Sequence, residues 1–283
     1  MRGEYARTAV ITGAASGFGR AMSVAWAEKG WKIGIADIDM EGAGKTLEMV
    51  EGAGGTGEVF NCNVRKLEDV QAMADHFFES WGEVGVVMNN AGVVDVGYVG
   101  DILIEDWERI IETSLMGVIY GCHAFVPRMK EHGRGHVVNT ASLAGIASLP
   151  EMAPYNVVKA GTISLSETLR TELAPYGIGV TVICPSFFNT NLLSDMTCTD
   201  EWERDFSQAT FTSARMTADE IAGMVVRAVE RNRFYVLPQP SAKFLWLMKR
   251  MFPETLYKVI GVLLNSERGR SIFMWIARHG ILG

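Results

Sequence analysis

Residues 8–19 read TAVITGAASGFG, an apolar, β-branched run of five followed by a turn that carries three glycines. TAVIT has the composition of a strand. Over 18–29, Ala21, Met22, Ala25 and Trp26 share one helical face, so the turn joins a strand to a helix. Such a turn has a physical use. Bare backbone lets an anion come close, and the unpaired N–H groups and dipole of the following helix favour negative charge. The spacing here is GxxxGxG, with Gly13, Gly17 and Gly19 as the glycines and Ser16 and Phe18 beside them. Glycines are common at turns, so this stretch needs a second observation before it signifies a nucleotide site.

The next strand supplies that observation. KIGIAD (32–37) ends at Asp37, 18 residues after Gly19. This is near the separation at which an acidic residue binds both hydroxyls of an adenosine ribose. A carboxylate there repels a 2′-phosphate, which selects NAD over NADP. Further along come GEVFNC (57–62), VGVVMN (84–89), GHVVNTA (135–141), GVTVIC (179–184) and RFYVLP (233–238), separated by segments with helical spacing such as 106–132. Strand–helix alternation predicts an α/β fold, a doubly wound parallel sheet covered by helices on both faces. The strands are apolar almost throughout, as burial of both faces requires. The glycine cluster EGAGGTGE (51–58) ends a helix before a strand and reads as a turn.

Composition narrows the function. The chain has 283 residues, 48% apolar and 21% charged, with a net charge of −7. An acidic balance argues against nucleic-acid binding, which needs a basic field. Cys62, Cys122, Cys184 and Cys198 show no CxxC spacing and read as reduced thiols of a cytosolic protein. The five histidines have no ligand-like spacing, so no metal site is expected. The opening MRGEYARTAVIT enters a strand pattern too soon for a signal peptide, and no uncharged apolar run of 18 residues predicts a spanning helix.

Several ordered motifs in one frame resemble the short-chain dehydrogenase/reductase family over about residues 7–238: TGAASGFG at 12–19, Asp37, NNAG at 89–92, Ser142, and YNVVK at 155–159. The resemblance implies a Rossmann-like fold with a seven-stranded parallel sheet and one NAD(P)-dependent site. It also implies that Asn89, Asn90, Ala91 and Gly92 brace the central strand beside the adenosine. Ser142, Tyr155 and Lys159 follow from chemistry as well. Removing hydride from an alcohol requires a base for the hydroxyl proton, and a free tyrosine with pKa about 10 is a poor one at neutral pH. The Lys159 ammonium one turn away, with the charge of an oxidised nicotinamide, is expected to favour phenolate and make Tyr155 the acid/base. Ser142 would hold the substrate oxygen, and the counterpart of Lys159 in the family grips the nicotinamide ribose.

Three positions depart from the family pattern. Ser114 stands where an asparagine usually anchors a relay water; its shorter hydroxyl can still hold one. Asn63 in CNV (62–64), next to Val64, replaces the aspartate that meets the adenine and keeps a carbonyl acceptor. Pro185 is followed by Ser186 instead of glycine; beyond it, Phe188 takes an aliphatic place and Thr190 keeps the carboxamide-binding one. Polar groups are scarce among the expected pocket residues Val94, Leu143, Met152, Phe187 and Leu192, which suits a hydrophobic secondary alcohol or ketone.

Two regions break the alternation. Residues 186–216 lack a clear period and are expected to form a mobile lid. Residues 241–283 hold seven basic and two acidic residues, leaving this extension at +5 and the first 240 residues at −12. In 243–252, Phe244, Leu247, Met248 and Met251 line one face, while 256–264 and 271–282 are apolar nearly all round. The extension is read three ways: helices packed on a catalytic domain (1–240) or across a homodimer or homotetramer, a basic amphipathic membrane contact, or a shield over the pocket. Two functions compete: an NAD-dependent short-chain alcohol dehydrogenase or ketone reductase, and a non-catalytic dinucleotide-sensing or scaffold protein.

Overall fold

The computed structural model describes residues 5–188, 198 and 200–283. TAVIT forms strand β1 (Thr8–Thr12). It pairs in parallel with β2 (Lys32–Asp37) on one side and β4 (Val86–Asn89) on the other. With β3 (Thr56–Asn61), β5 (Gly135–Thr140), β6 (Ile178–Ile183) and β7 (Tyr235–Val236) the sheet has the order β3-β2-β1-β4-β5-β6-β7, and each pairing is parallel. Each apolar run singled out in the sequence is a strand. Between β1 and β4 the winding reverses, which opens a crevice at the carboxyl ends of the strands.

Parallel strands need long crossovers, and helices supply them. On one face, α1 (Gly17–Ala27), α2 (Met40–Gly52) and α9 (Ala218–Glu230) bury Met22, Trp26, Ile221 and Val225 against β1 and β2. On the other, α3 (Leu67–Trp81), α5 (Gly117–His132) and α7 (Ala153–Glu172) bury Phe77, Phe125, Met129 and Leu169. Each large side chain so buried is worth roughly 1.5–3 kcal/mol. Helix α4 (Ile104–Ile111) runs into α5 through a π turn, Glu112–Met116. The 29-residue segment from Ile104 to His132 is long and apolar enough to cross a bilayer, which the sequence reading did not anticipate. Half of its most apolar window is buried inside the protein, as a core helix requires.

Residues 201–212 depart from expectation. Instead of irregular chain they form α8 (Glu201–Thr212), started by a reciprocal capping box between Asp200 and Glu203. Of the rest of the expected lid, 186–188, 198, 200 and 213–216 are also described, while 189–197 and 199 lie outside the described residues. The C-terminal region is three helices, α10 (Pro240–Met251), α11 (Pro253–Leu264) and α12 (Glu267–Arg278).

Candidate active site

The turn after β1 delivers the chain to the N-terminus of α1 at the crevice. Gly13 and Gly17 have φ of 65° and 50°, the left-handed region that penalises a Cβ. Ser16, the N-cap of α1, makes no side-chain cap bond. The first N–H groups of α1 are therefore left to whatever fills the adjoining cavity, which Gly13, Ser16, Gly17 and Phe18 line. Gly19 lies behind the turn, where a Cβ would stand 2.1 Å from the Gly13 carbonyl oxygen. Asp37 reaches the turn from β2: its Oδ2 accepts the Ala15 N–H at 2.9 Å and its Oδ1 the Asp39 N–H at 3.1 Å. Each carboxylate oxygen keeps a lone pair for a ligand hydroxyl. An uncapped helix start, bare turn backbone and a fixed carboxylate are a donor and acceptor set that fits a dinucleotide.

Opposite the turn, the NNAG segment ties β4 to β1. Asn90 donates its amide to the Thr12 and Gly13 carbonyls at 3.0 and 3.2 Å, while Thr12 Oγ1 accepts the Asn90 and Ala91 N–H groups at 3.0 and 3.2 Å. Deeper in, Asn89 donates to Asn139 at 2.9 Å. Asn90, Ala91 and Gly92 line the cavity, as do Asn63 and Val64. The acceptor expected of Asn63 is partly used, because its Oδ1 takes the Arg65 N–H at 3.1 Å.

Ser142 follows β5 as the N-cap of the short helix α6 (Leu143–Ala147), its Oγ accepting the Ala144 N–H at 3.1 Å. Tyr155 and Lys159 project from the first turns of α7, one turn apart; the Ser142 hydroxyl donates to the Pro185 carbonyl at 3.4 Å and lies close enough to the Tyr155 phenol to favour its ionised form. Lys159 is 3% exposed; its ammonium donates to the Thr140 carbonyl at 2.7 Å and lies 5.5 Å from the Tyr155 ring centroid. All three residues line the same cavity as the glycine turn.

The electrostatics differ from expectation. Burial pushes the Tyr155 phenol up to about 12, only partly offset by the nearby Ser142 hydroxyl. Burial also draws the Lys159 ammonium down to about 8, so it keeps its proton at neutral pH. Lys159 donates to the Thr140 carbonyl and keeps its charge, but desolvation of the phenolate prevails in setting the direction of the Tyr155 shift. Ser114 differs too. It is fully buried in the π turn, where its Oγ accepts the Val93 N–H at 3.0 Å and donates to the Val93 carbonyl at 3.2 Å. Its single proton is used, so a water there must donate to Ser114. Thr113 forms the cavity wall in its place.

The cavity measures about 860 Å³. Val94, Leu143, Met152, Phe187 and Phe188 line it as expected, and Pro185 supplies a wall residue whose carbonyl accepts the Leu143 N–H at 2.8 Å. Thr190 and Leu192 lie outside the described residues. The scarcity of polar groups is corrected, since Arg109, Glu151 and Glu203 also line the cavity. Arg109 forms an ion pair with Asp95, which is 2% exposed. These residues come from three separate segments and show no common sequence pattern. The extension closes another side through Leu256, Ile260, Leu264 and Phe273. It is tied down by the Tyr257 hydroxyl, which donates to the Ala147 carbonyl at 2.8 Å, and by the Ser186 hydroxyl, which donates to the Leu282 carbonyl. Ser186, the departure from glycine, thus serves the extension. Gln239, fully buried, was missed: it accepts the Ser186 N–H at 2.9 Å and donates to the Phe187 carbonyl at 3.3 Å.

A short chain dehydrogenase family model matches residues 7–201, and the chain belongs to the short-chain dehydrogenase/reductase family. It is 33% identical over 265 residues to the probable oxidoreductase EphD of Mycobacterium tuberculosis, covering 90% of this chain and 45% of that protein. The chain therefore spans about half the length of that relative. It is 30% identical over 190 residues to the cyclohexanol dehydrogenase of Acinetobacter sp. strain SE19, covering 67% of this chain and 76% of the other. The crystal structure of a short-chain dehydrogenase/reductase from Burkholderia phymatum in complex with NAD superposes with a TM-score of 0.83 at 31% identity, covering 89% of this chain and 95% of that one.

Proposed function

We propose that this protein interconverts a hydrophobic secondary alcohol and its ketone with NAD(H), with Tyr155 as acid/base. The observation that carries this reading is the meeting of the Ser142 hydroxyl, the Tyr155 phenol and the buried Lys159 ammonium in the cavity that the glycine turn opens. The nicotinamide of a bound dinucleotide accepts or returns the hydride. The chain's own residues manage the proton. Ser142 holds the substrate oxygen against Tyr155. In ketone reduction a phenol with a pKa of about 12 is protonated at neutral pH and ready to donate. In alcohol oxidation it must release that proton, which its burial opposes until further positive charge enters the cavity beside Lys159.

Several features support NAD over NADP. Asp37 and Asp39 present carboxylates at the ribose end of the cavity. The two nearby guanidinium groups are engaged, Arg65 with Glu112 and Arg20 with the Ala15 and Gly42 carbonyls. Asp37→Ser is expected to lower kcat/KM for NAD by roughly ten- to hundred-fold, the value of a charged hydrogen bond of about 1.5–3 kcal/mol. The ratio of kcat/KM for NAD to that for NADP should fall with it. Steady-state assays with both cofactors read this directly, and an unchanged ratio would remove Asp37 from cofactor choice.

The apolar walls support a lipophilic substrate, and the likeness to a cyclohexanol dehydrogenase supports an alicyclic one. Arg109, Glu151 and Glu203 offer a second polar focus for a group remote from the reacting carbon. The reading is tested with a panel of secondary alcohols and ketones assayed with NAD and NADP. Turnover confined to small polyols would overturn the substrate class. Dinucleotide binding without turnover of any alcohol, unaffected by Tyr155→Phe, would favour the dinucleotide-sensing alternative.

A further inference from the structure

Helix α11 is anomalous for a helix in water. Leu256, Tyr257, Val259, Ile260, Val262, Leu263 and Leu264 make it the most apolar part of the extension, yet it has no buried residue. Leu256, Ile260 and Leu264, at i, i+4 and i+8, line the cavity. On other faces Val259 and Val262 are 50% and 69% exposed. One helix thus lies between the apolar wall it gives the cavity and an apolar outer surface. Its neighbours expose apolar faces as well: Phe244, Leu247 and Met251 of α10, at i, i+3 and i+7, and Ile272 and Trp275 of α12. Outward faces of this kind mark an interaction site.

Charge selects the occupant. Lys243, Arg250, Lys258, Arg268 and Arg278 are exposed on the same three helices, and among the described residues no salt bridge joins any of them to a carboxylate. The extension carries +5 against −12 for the remainder. A second copy docking through this face would set two cationic surfaces together. A negatively charged surface would attract the extension and repel the rest, turning the exposed helices towards it. Apolar faces rimmed by cations match a bilayer containing anionic lipid. Each helix has 12 residues, about 18 Å at 1.5 Å per residue, short of the roughly 30 Å hydrocarbon core, so they suit lying in the interface.

We infer that α10, α11 and α12 form a docking surface for anionic phospholipid bilayers, which holds the α11 wall of the cavity at the membrane. Delivery of a lipophilic substrate through that wall rests on the function proposed above; the docking itself does not.

The test is co-sedimentation of the full chain with vesicles of phosphatidylcholine alone or mixed with phosphatidylserine. The expected partition coefficient is at least about ten-fold higher with phosphatidylserine at low salt, and falls as salt is raised. The charge-reversed variant Lys243→Glu/Lys258→Glu/Arg268→Glu should lose at least about ten-fold of that binding. Its turnover of a water-soluble alcohol should be unchanged. Phe244→Ser/Val262→Ser should weaken binding while preserving the salt dependence. Retention in the supernatant with both vesicles, equal binding to both, or wild-type binding by the charge-reversed variant would overturn the proposal. So would a sedimentation result in which Phe244→Ser/Val262→Ser dissociates an oligomer. The salt dependence of the unmodified chain needs no variant, and vesicle binding is read without turnover, so failure here is distinct from failure of the catalytic reading.

Discussion

Tyr155→Phe should lower kcat/KM for both alcohol oxidation and ketone reduction by about 10²–10⁴-fold, the usual contribution of a positioned acid or base. The substitution removes one oxygen from a half-buried ring in α7. The ring's packing and the Lys159 bond to Thr140 are left as they are. NAD affinity, measured by calorimetric titration, should therefore change less than about three-fold, a difference well under 1.4 kcal/mol. A loss of affinity as large as the loss of rate would mean that the phenol acts in binding and not in proton transfer. The high phenol pKa adds a directional expectation. Reduction uses the protonated phenol and should hold its rate across neutral pH, while oxidation needs the phenolate and should speed up as pH rises. Matching pH–rate profiles in the two directions would contradict this assignment.

Gly19→Ala should disable the dinucleotide site through sterics. The added Cβ would stand 2.1 Å from the Gly13 carbonyl oxygen and 2.8 Å from Asn90 Nδ2. Neither neighbour can retreat freely. Gly13 is packed against Ala91, and the Asn90 amide is committed to the Thr12 and Gly13 carbonyls. The turn must open, at a cost of about 1–3 kcal/mol for overpacking. Dinucleotide affinity should fall roughly ten- to hundred-fold if that strain is relieved at the turn. The melting temperature should also drop by a few degrees, about 2–4 °C per kcal/mol for a domain of this size. Gly44→Ala is the control. Gly44 lies in α2 with nothing within 4 Å of its added Cβ. That change should be neutral or stabilise the chain by up to roughly 1 kcal/mol. Equal losses at both positions would show that helix composition, and not the turn, sets cofactor affinity.

The parts of the fold and site that were legible in the chain are those whose cause is local or periodic. TAVIT, KIGIAD and GVTVIC announce strands because a sheet buried on both faces demands unbroken apolar runs. YNVVK puts Tyr155 and Lys159 on one helical face by spacing alone. The carboxylate of Asp37 and the glycines lie in one frame because a strand–helix–strand unit has a near-constant length. Helix α8 was also legible and was missed. Its capping box, Asp200 with Glu203, stands in a stretch whose lack of a clear period suggested a mobile lid.

What could not be read along the chain depends on contacts between distant segments. Ser186 stands where the family usually has glycine, and its hydroxyl meets the Leu282 carbonyl, 96 positions away. Arg109, Glu151 and Glu203 line one cavity although no spacing relates them. The Tyr155 pKa moves up instead of down because its sign is set by a balance. Coulombic help from Lys159 is readable from spacing, whereas desolvation depends on how many other segments close over the ring. Order and period in a sequence therefore specify which groups share an element and which elements form the sheet. The medium around those groups, and so their protonation and the shape of the cavity, exists only once the chain has folded, because solvent exclusion is a property of the whole assembly.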